Sequence, residues 1–561
     1  MKWQADLENG FYKNPVLYAD YSDPDAVCVG DDFFLVASSF CNVPGIPILH
    51  SKDLVNWELV NYALKKIPEF RYREPVHGCG VWAPAIRFHD GKYFICFPMP
   101  DEGIYMTTAE NPYGDWSEPV NIRPGAGWID PCPFWDDDGK AYLVSGVAKS
   151  RMGYKNVLHL TEMQPDGMAL TGRPVRIYDG GLHHNPTTEG PKLYKRNGWY
   201  YIFAPAGGVK TGWQLILRSR NIYGPYEQRV VMKQGNTKIN GPHQGAWVHT
   251  AAGEDWFLHF QDVFAAGRVM CLEPMRWGED GWPVIGEAEM NETCGTPAET
   301  YRKPHTEKEC RITVPATDDD FPEGKLGLQW QWNANPEENF AGPAGHEKGL
   351  RLNAVPAVPE RPVCDYRNLL LQKWPAPEFT CRTELSVKNL KPGDRAGIVS
   401  MGTVYAALFA ERTEEGFQIR RTSGRQIFDC GASYADGKTG TMMPGLAFSD
   451  GEQTLTFSYR VQRTGMTETV KSDDPEKVIP SHPEETVTLS VSADGQKELV
   501  SFSVPAEAGR WVGVKNGVFC EHIQEDRESN ITNGPVQNAS PAEEGQPSEP
   551  GYAVVRAVRY E

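Results

Sequence analysis

The chain has 561 residues and a mass of 62.7 kDa, which is more than one hydrophobic core usually serves, so we expect at least two domains. Its net charge of −18 argues against a nucleic-acid partner, because nucleic-acid phosphates are neutralised by lysine and arginine. No run of about 18 apolar residues is present, so no membrane-spanning helix is predicted. The start, MKWQADLENG, lacks an apolar signal region, which predicts a cytoplasmic protein unless a secretion signal has been trimmed.

A pattern of polar and aromatic residues repeats along the first half of the chain. Asp23, Trp82, Asp130 and Glu189 each open a short apolar stretch that leads into a Gly/Asp/Asn turn, and His243 starts a looser fifth copy. The next strand carries an aromatic residue 11 positions after Asp23, 12 positions after the next three residues and 14 positions after His243. If the copies are arranged radially, these five residues meet at one place.

The repeated unit is a hairpin whose second strand is rich in aromatic and β-branched residues. The second strands read FFLVASS (33–39), YFICFPM (93–99), AYLVSGV (141–147), WYYIFAPA (199–206) and WFLHFQD (256–262). The copies are far enough apart for one four-stranded sheet each. Residues 1–305 are therefore predicted to form a five-bladed β-propeller that carries the catalytic site.

The second half of the chain has a different pattern. After a polar linker at 306–324, about a dozen segments alternate apolar and polar residues at period two, without helical periodicity. Residues 325–561 are therefore predicted to form a β-sandwich, which gives an all-β chain. An insert around 521–551, rich in Asn, Pro, Glu and Ser, is predicted to be a long loop, and YAVVRAVRY (552–560) to complete the sandwich.

Three of the five converging residues are carboxylates: Asp23, Asp130 and Glu189. Like charges placed together repel and shift each other's pKa, so this arrangement is not expected for stability. Hydrolysis of a neutral sugar needs a protonated acid for the leaving oxygen and an ionised base for the water. A third carboxylate can hold up the pKa of the acid and bind a sugar hydroxyl.

Several segments around these residues match known sequence motifs. They are YSDPD (21–25), PGIPILHSKDLVNW (44–57), VWAPA (81–85), WIDPCPF (128–134), TEGPKLY (188–194), GPHQGAWV (241–248) and GRVMCLEPMRW (267–277). Through them the chain resembles glycoside hydrolase family 43. LGLQWQWNANP (326–336) and KGLRL (348–352) resemble the C-terminal domain of this family's β-xylosidases, which implies a concanavalin-like jelly roll.

The resemblance implies a role for each carboxylate. Asp23 corresponds to the general base, Glu189 to the general acid, and Asp130 to the residue that tunes the pKa of the acid and orients the sugar. The family inverts anomeric configuration, which implies a separation of about 6.5–9.5 Å between the Asp23 and Glu189 carboxyl groups.

The resemblance also implies substrate-binding residues. Trp82 would offer a flat face to the sugar, Arg268 would contact hydroxyls, and Phe40 would form an aromatic wall. His243 corresponds to a histidine deep in the channel, near a calcium ion or water, although a buried histidine without metal fits the sequence equally well. No cofactor is required, a structural calcium ion stays open, and a homo-oligomer is compatible with the family.

The predicted activity is exo-acting, inverting release of terminal β-D-xylose from plant-cell-wall xylo-oligosaccharides. Two alternatives are an α-L-arabinofuranosidase, with the same fold and carboxylates, and a non-catalytic carbohydrate-binding propeller. The chain departs from its relatives at YSDPD, at Pro131 and Cys132, and in the insert after VKNGVFC, near which β-xylosidases reach an aromatic over the pocket. These departures leave the choice between xylose and arabinose open.

Overall fold

The computed structural model describes residues 2–358, 361–429, 432–435, 446–448, 454–472, 478–493, 497–523 and 551–561. Nearly all regular structure in these ranges is β-strand, which confirms the predicted all-β class. The helices there are short: Lys149–Met152 is α-helical, and the 3₁₀ turns are Phe70–Arg73, Phe264–Ala266, Pro322–Gly324 and Val363–Asp365. None of the described helices is long and apolar enough to cross a membrane.

The first half of the chain forms five antiparallel sheets of four strands each, and the strands of every sheet follow chain order. Blade 1 comprises Asp25–Val29, Asp32–Val36, Gly45–Ser51 and Glu58–Leu64. Blade 2 comprises Ala85–His89, Lys92–Met99, Gly103–Ala109 and Val120–Pro124. Blade 3 comprises Trp128–Trp135, Ala141–Val147, Val157–Met163 and Val175–Asp179. Blade 4 comprises Lys192–Arg196, Trp199–Ala206, Trp213–Ser219 and Glu227–Lys233. Blade 5 comprises His243–His249, Asp255–Asp262, Arg268–Trp277 and Pro283–Ile285.

The first strand of each blade lies on the inside of the ring. The first strands of blades 1 to 4 contact one another in order, and the first strand of blade 5 contacts that of blade 1. Phe11–Lys13 pairs with Thr300–Arg302, which brings the two ends of the propeller chain together. This arrangement confirms the five-bladed propeller and places the five repeated residues at the starts of the inner strands.

The second half folds into two facing sheets, which confirms the predicted β-sandwich. In order, one sheet contains Gln331–Trp332, Leu370–Lys373, Lys515–Ile523, Asp394–Met401, Val404–Thr413, Gly416–Asp429 and Ala432–Ala435, with Val355–Ala357 on Lys515–Ile523 and Leu446–Phe448 on Gly416–Asp429. The other contains Ala341–Pro343, Leu350–Asn353, Tyr552–Tyr560, Phe379–Ser386, Thr454–Met466, Pro483–Ala493 and Lys497–Pro505. One large apolar cluster fills the space between them.

The structure changes one predicted element and leaves others untested. The strand predicted over GRWVGVKNGVF begins only at Lys515, and Trp511 lies before it in a loop with a φ of 65°. Within the predicted insert, Glu521–Ile523 continue that strand, and 524–550 lie outside the described residues. The exact domain bounds stay predictions: the last blade ends at Ile285, the strand that pairs with Phe11–Lys13 ends at Arg302, and the sandwich sheets begin at Gln331.

The two domains contact each other through backbone and side-chain hydrogen bonds near the propeller mouth. Val43 and Trp332 exchange backbone hydrogen bonds of 3.0 and 2.6 Å. The Lys515 ammonium group donates to the side-chain oxygen of Asn42 at 2.6 Å. These contacts lie immediately after Phe40, so they fix the sandwich beside the starts of the inner strands.

Candidate active site

Asp23 and Asp130 occupy equivalent positions at the starts of the inner strands of blades 1 and 3. Each precedes a proline, and each has a left-handed φ, 56° for Asp23 and 52° for Asp130. Aspartate is one of the few residues besides glycine that visits this region, and such backbone strain concentrates at functional sites. Both residues line the same cavity.

The Asp23 carboxylate is buried and accepts three hydrogen bonds. The hydroxyls of Ser22 and Ser38 donate to Oδ2 at 3.0 and 2.7 Å. The Arg268 guanidinium donates to Oδ1 at 3.0 Å. Since all three hydrogen-bond partners are donors, they orient the carboxylate as an acceptor.

Asp130 is also buried, and both other carboxylates are close enough for their charges to act on it. Its Oδ2 accepts the backbone N–H of Gly190 at 2.8 Å, and the Gln244 amide donates to Oδ1 at 3.4 Å. Burial, followed by the charges of Glu189 and Asp23, raises the pKa of Asp130 to about 7. Close to neutral pH this carboxyl group therefore exchanges a proton, which is a property of active-site groups.

Glu189 is the most exposed of the three carboxylates, with 28% of its side chain accessible against 9% for Asp23. The imidazole Nε2 of His243 lies 2.9 Å from its Oε1. The next residue, Gly190, has a φ of 58°, and an added Cβ would lie 3.0 Å from Gln244. Glycine therefore allows the backbone turn after Glu189, and the N–H of this glycine is the group that donates to Asp130.

His243 starts the inner strand of blade 5 and is buried, with its ring 5.4 Å from that of Phe260. Its second ring nitrogen, Nδ1, has no hydrogen-bond partner among the described residues. No group of three or more His, Cys, Asp and Glu side chains in the described ranges is placed to hold a metal ion. No catalytic step is therefore assigned to a metal ion.

The three carboxylates lie in one cavity of ≈ 730 Å³ at the propeller mouth. Other residues around it include the predicted Phe40, Trp82 and Arg268, and Ile479 and Trp511 of the sandwich. Phe40 exchanges backbone hydrogen bonds with Val81, which sets its ring 6.3 Å from that of Trp82. The Trp82 ring lies 6.4 Å from that of Trp511, so three aromatic rings follow one another along the wall.

Comparison with known proteins agrees with this geometry. The family model described as glycosyl hydrolases family 43 matches residues 12–283. A second model, described as the β-xylosidase C-terminal concanavalin A-like domain, matches residues 318–530. A Xylanibacter ruminicola protein with a provisional β-xylosidase name is 39% identical over 433 residues, covering 77% of this chain and 78% of that protein. The chain belongs to glycoside hydrolase family 43.

Two further relatives of this family 43 hydrolase extend the comparison. A Bacteroides ovatus protein named non-reducing end α-L-arabinofuranosidase is 31% identical over 385 residues, covering 63% of this chain and 67% of its own. The crystal structure of a xylan β-1,4-xylosidase from Bacillus halodurans superposes with a TM-score of 0.75 at 22% identity, covering 98% of this chain and 99% of the other. At that identity the superposition supports the fold alone.

Among the residues that the structure brings to the family 43 site and that the sequence did not single out, Trp511 and Gln244 matter most for the carboxylates and the aromatic wall. Trp511 comes from the other domain, and the only signal for it was the resemblance near VKNGVFC. Gln244 follows His243 in the inner strand of blade 5 and has a φ of 35°. Only the three-dimensional structure shows that its amide reaches Asp130.

A buried ion cluster also lies beneath the carboxylates. Lys192, in TEGPKLY, is fully buried, donates to the carbonyl of Pro84 at 3.4 Å and lies 4.0 Å from Asp25. Asp25 accepts the Arg87 guanidinium at 2.6 Å and the backbone N–H of Ile86 at 2.9 Å. The positive charge of Lys192 opposes the rise in the pKa of Asp130. Through its hydrogen bonds with Ile86 and Arg87, Asp25, which is the second aspartate of YSDPD, joins blades 1 and 2.

Proposed function

We propose that this hydrolase removes terminal β-D-xylose from the non-reducing ends of xylo-oligosaccharides, with inversion of configuration. The observation that carries the proposal is the set of three carboxylates in one cavity, each held by different partners. The provisional name of the Xylanibacter ruminicola relative and the description of the matching C-terminal model support xylose as the sugar.

The base in this proposal is Asp23. It accepts hydrogen bonds from Ser22, Ser38 and Arg268, so its position is fixed while it takes a proton from the attacking water. Arg268 also lines the cavity, so it can donate to a sugar hydroxyl on the same side. Both side chains are buried, so the water that reaches the base is the water enclosed in the cavity with the substrate.

The acid in this proposal is Glu189. It is the carboxyl group most open to the cavity, and His243 holds one oxygen while the other is free to meet the leaving oxygen. Asp130 feels the charges of both acid and base and carries a raised pKa, so its own charge changes near neutral pH. It would regulate the proton on Glu189 through their mutual repulsion and orient the sugar.

The aromatic wall of the cavity supports exo-action in this proposal. Phe40, Trp82 and Trp511 close one wall of the cavity with aromatic rings, and Ile479 adds an apolar side chain. Flat aromatic faces suit the C–H surface of a sugar ring, and a wall of this kind accommodates a chain end more readily than the middle of a polymer.

An α-L-arabinofuranosidase is the second candidate. The name of the Bacteroides ovatus relative, at 31% identity, favours it. The same base, acid and aromatic wall would serve both sugars, because the two pentoses can present similar atoms to one pocket.

The decisive experiment measures initial rates on nitrophenyl β-xyloside, nitrophenyl α-arabinofuranoside and xylobiose. We expect wild type to hydrolyse xylobiose and the xyloside faster than the arabinofuranoside. Glu189→Ala should lose more activity on xylobiose than on the nitrophenyl substrate, because nitrophenolate leaves without protonation. Asp23→Ala should lose both activities. A wild type that hydrolyses none of the three substrates would overturn the proposal, and unchanged xylobiose rates in Glu189→Ala would remove Glu189 from the acid role.

A further inference from the structure

A thiol, an imidazole and a carboxylate lie in a row where the propeller meets the sandwich. Cys41 lies between the second and third strands of blade 1, His77 lies between blades 1 and 2, and Asp365 belongs to the sandwich. The imidazole of His77 hydrogen-bonds the Cys41 thiol, and its Nε2 lies 3.2 Å from Oδ1 of Asp365. A nucleophile, an imidazole and an orienting carboxylate in this order form the arrangement that activates thiols in covalent chemistry. None of the three residues lines the cavity that holds the three carboxylates.

The surroundings of His77 favour the charged form of its ring. Nε2 faces two acceptors, the Asp365 carboxylate and the backbone carbonyl of Cys364 at 3.1 Å, so this nitrogen carries a proton. Burial opposes a charge on the ring, but the hydrogen bonds to Asp365 and Cys41 outweigh it and raise the pKa of His77 to about 9. At neutral pH the ring is therefore an imidazolium that is hydrogen-bonded to the sulfur.

The surroundings of Cys41 favour a thiolate. Burial by itself raises the pKa of a thiol, as it does for Cys96. At Cys41 burial is outweighed by the hydrogen bond and charge of His77, the charge of Lys515 and the backbone N–H of Val76, which lower the pKa of the thiol. The thiolate is the nucleophilic form of cysteine, and a neighbouring histidinium or lysine is a common reason for a cysteine to be reactive.

A small cavity of ≈ 30 Å³ borders the cluster. Cys41, His77 and Lys515 line it. Gly509 and Arg510 also line it and are partly exposed, so the cavity can be reached from solvent. One water molecule needs roughly 10–15 Å³ of such space. The cavity therefore admits a molecule of the size of hydrogen peroxide and excludes a sugar, a peptide or an acyl ester, so acyl transfer is not the chemistry of this cluster.

Oxidation by hydrogen peroxide uses each group of the cluster. The thiolate sulfur attacks one peroxide oxygen and forms an S–O bond while the O–O bond breaks. The departing hydroxide takes a proton from the His77 imidazolium and leaves as water. The sulfur is oxidised by two electrons to sulfenic acid, the peroxide is reduced, and His77 is left neutral. Sulfenic acid is the reversible first step of cysteine oxidation, which thiol reagents undo.

We propose that Cys41 is an oxidation site, at which hydrogen peroxide forms a sulfenic acid faster than at the more exposed Cys28. Phe40, the residue before Cys41, lines both the small cavity and the cavity that holds the three carboxylates. The added oxygen occupies space next to Phe40, so oxidation disturbs the aromatic wall and lowers hydrolysis. This effect on hydrolysis rests on the proposed function, whereas the oxidation itself does not.

Mapping of the oxidised cysteines in wild type tests the reaction. After a brief exposure catalase removes the peroxide, and the protein is unfolded in urea that contains dimedone, which traps sulfenic acids for mass spectrometry. Cys28 is the internal control, because it is more exposed than Cys41 while burial and two nearby aspartates raise its pKa to about 11. We expect Cys41 to be labelled about tenfold faster than Cys28. Equal labelling, or faster labelling of Cys28, would overturn the proposal.

A variant tests the role of the imidazole. His77→Gln keeps a side chain that can donate to Asp365 but removes the positive charge, so labelling of Cys41 should slow by about tenfold. The matched control is His249→Gln, because His249 also pairs with an aspartate, Asp255 at 2.9 Å, in blade 5. The control should leave labelling unchanged. Wild-type labelling in His77→Gln would contradict activation of the thiol by His77.

Hydrolysis of nitrophenyl β-xyloside shows whether oxidation reaches the aromatic wall. We expect peroxide to lower the wild-type rate by about threefold or more and dithiothreitol to restore it, whereas Cys41→Ser should keep its rate after the same treatment. An oxidised wild type with an unchanged rate would rule out the effect through Phe40. A wild type that hydrolyses no xyloside before oxidation would overturn the proposed function, while the labelling still decides the oxidation site.

Discussion

Among single residues, Asp130 has the most costly environment in the candidate site. A buried carboxylate loses hydration, and Glu189 and Asp23 add repulsion that one backbone N–H and the charge of Lys192 oppose only in part. The result is a group whose pKa is raised to about 7. Such a group is expected to reduce stability in return for activity.

Asp130→Asn should therefore stabilise the protein increasingly as pH rises. In wild type the folded state holds the proton up to about pH 7, whereas the unfolded chain releases it near its ordinary value of 3.8. Wild-type stability consequently falls with pH between these values, by up to about 1.4 kcal/mol per pH unit for one group. The variant lacks this loss, so the difference in its favour should grow between pH 5 and 7 and level off above.

Urea unfolding of wild type and variant at pH 5, 6, 7 and 8 measures this difference. Asp280→Asn is the control, because the Arg229 ion pair leaves the pKa of Asp280 lowered despite some burial, and its effect should be constant above pH 5. A difference for Asp130→Asn that does not change from pH 5 to 7 would contradict a raised pKa. The variant should also lose hydrolytic activity.

At the scale of elements, alternating arginine and tryptophan side chains join blades 4 and 5. The Arg218 guanidinium lies 4.6 Å from the ring centre of Trp199 and 4.2 Å from that of Trp282. It also donates to the carbonyl of Asp280 at 2.7 Å. Arg220 covers Trp199 at 4.1 Å, and Arg229 covers Trp282 at 4.7 Å.

Arg218→Ala should destabilise the propeller by about 1–3 kcal/mol, because it removes two cation–π contacts, one hydrogen bond to backbone and the ion pair with Glu227. Arg220→Ala is the matched control, since Arg220 covers one ring only and should cost less. Urea unfolding at neutral pH checks both values. Equal costs for the two variants would mean that the position between two rings adds nothing.

The hairpins of the blades could be predicted from the sequence because their signals are local. Turn residues such as those in DGK and NG, together with aromatic strands, define each hairpin without reference to the rest of the chain. The starts of the inner strands then indicated Asp23, Asp130 and Glu189. Lys192 could not be predicted in the same way, because a lysine in a short strand usually faces water and only the packed ring shows it buried.

Trp511 could not be placed from the sequence because its position depends on contacts between domains. The segment around it reads as a strand, since GRWVGVKNGVF alternates and contains β-branched residues. The observed loop depends on Asp20, whose carboxylate accepts the backbone N–H of Gly513 at 2.8 Å and which lies 491 positions before Trp511 in the chain, as the numbering shows. Local patterns carry no information about such a pair.

At the scale of the whole molecule, the cavity that holds the three carboxylates belongs to both domains. The propeller supplies the carboxylates, Trp82, Phe40 and Arg268, whereas the sandwich supplies Trp511 and Ile479. The sandwich must therefore be folded and docked for the cavity to have its complete wall. Loss of sandwich structure is expected to reduce activity although no proposed catalytic residue lies there.

Deletion of residues 552–561 tests this dependence. Tyr552–Tyr560 lies in the middle of its sheet, between Leu350–Asn353 and Phe379–Ser386, so its removal exposes two strands and opens the core. We expect the sandwich to unfold, the Trp511 loop to lose its support and hydrolysis of nitrophenyl β-xyloside to fall by at least about tenfold. Deletion of Glu561 alone is the control, because it removes two backbone hydrogen bonds to Thr380 and the ion pair with Arg382 but leaves Tyr552–Tyr560 paired on both sides, and it should retain both folding and activity. Circular dichroism and initial rates are measured on both proteins. A truncated chain with wild-type activity would show that the propeller needs no folded sandwich, and the wall formed by Trp511 would then have no part in hydrolysis.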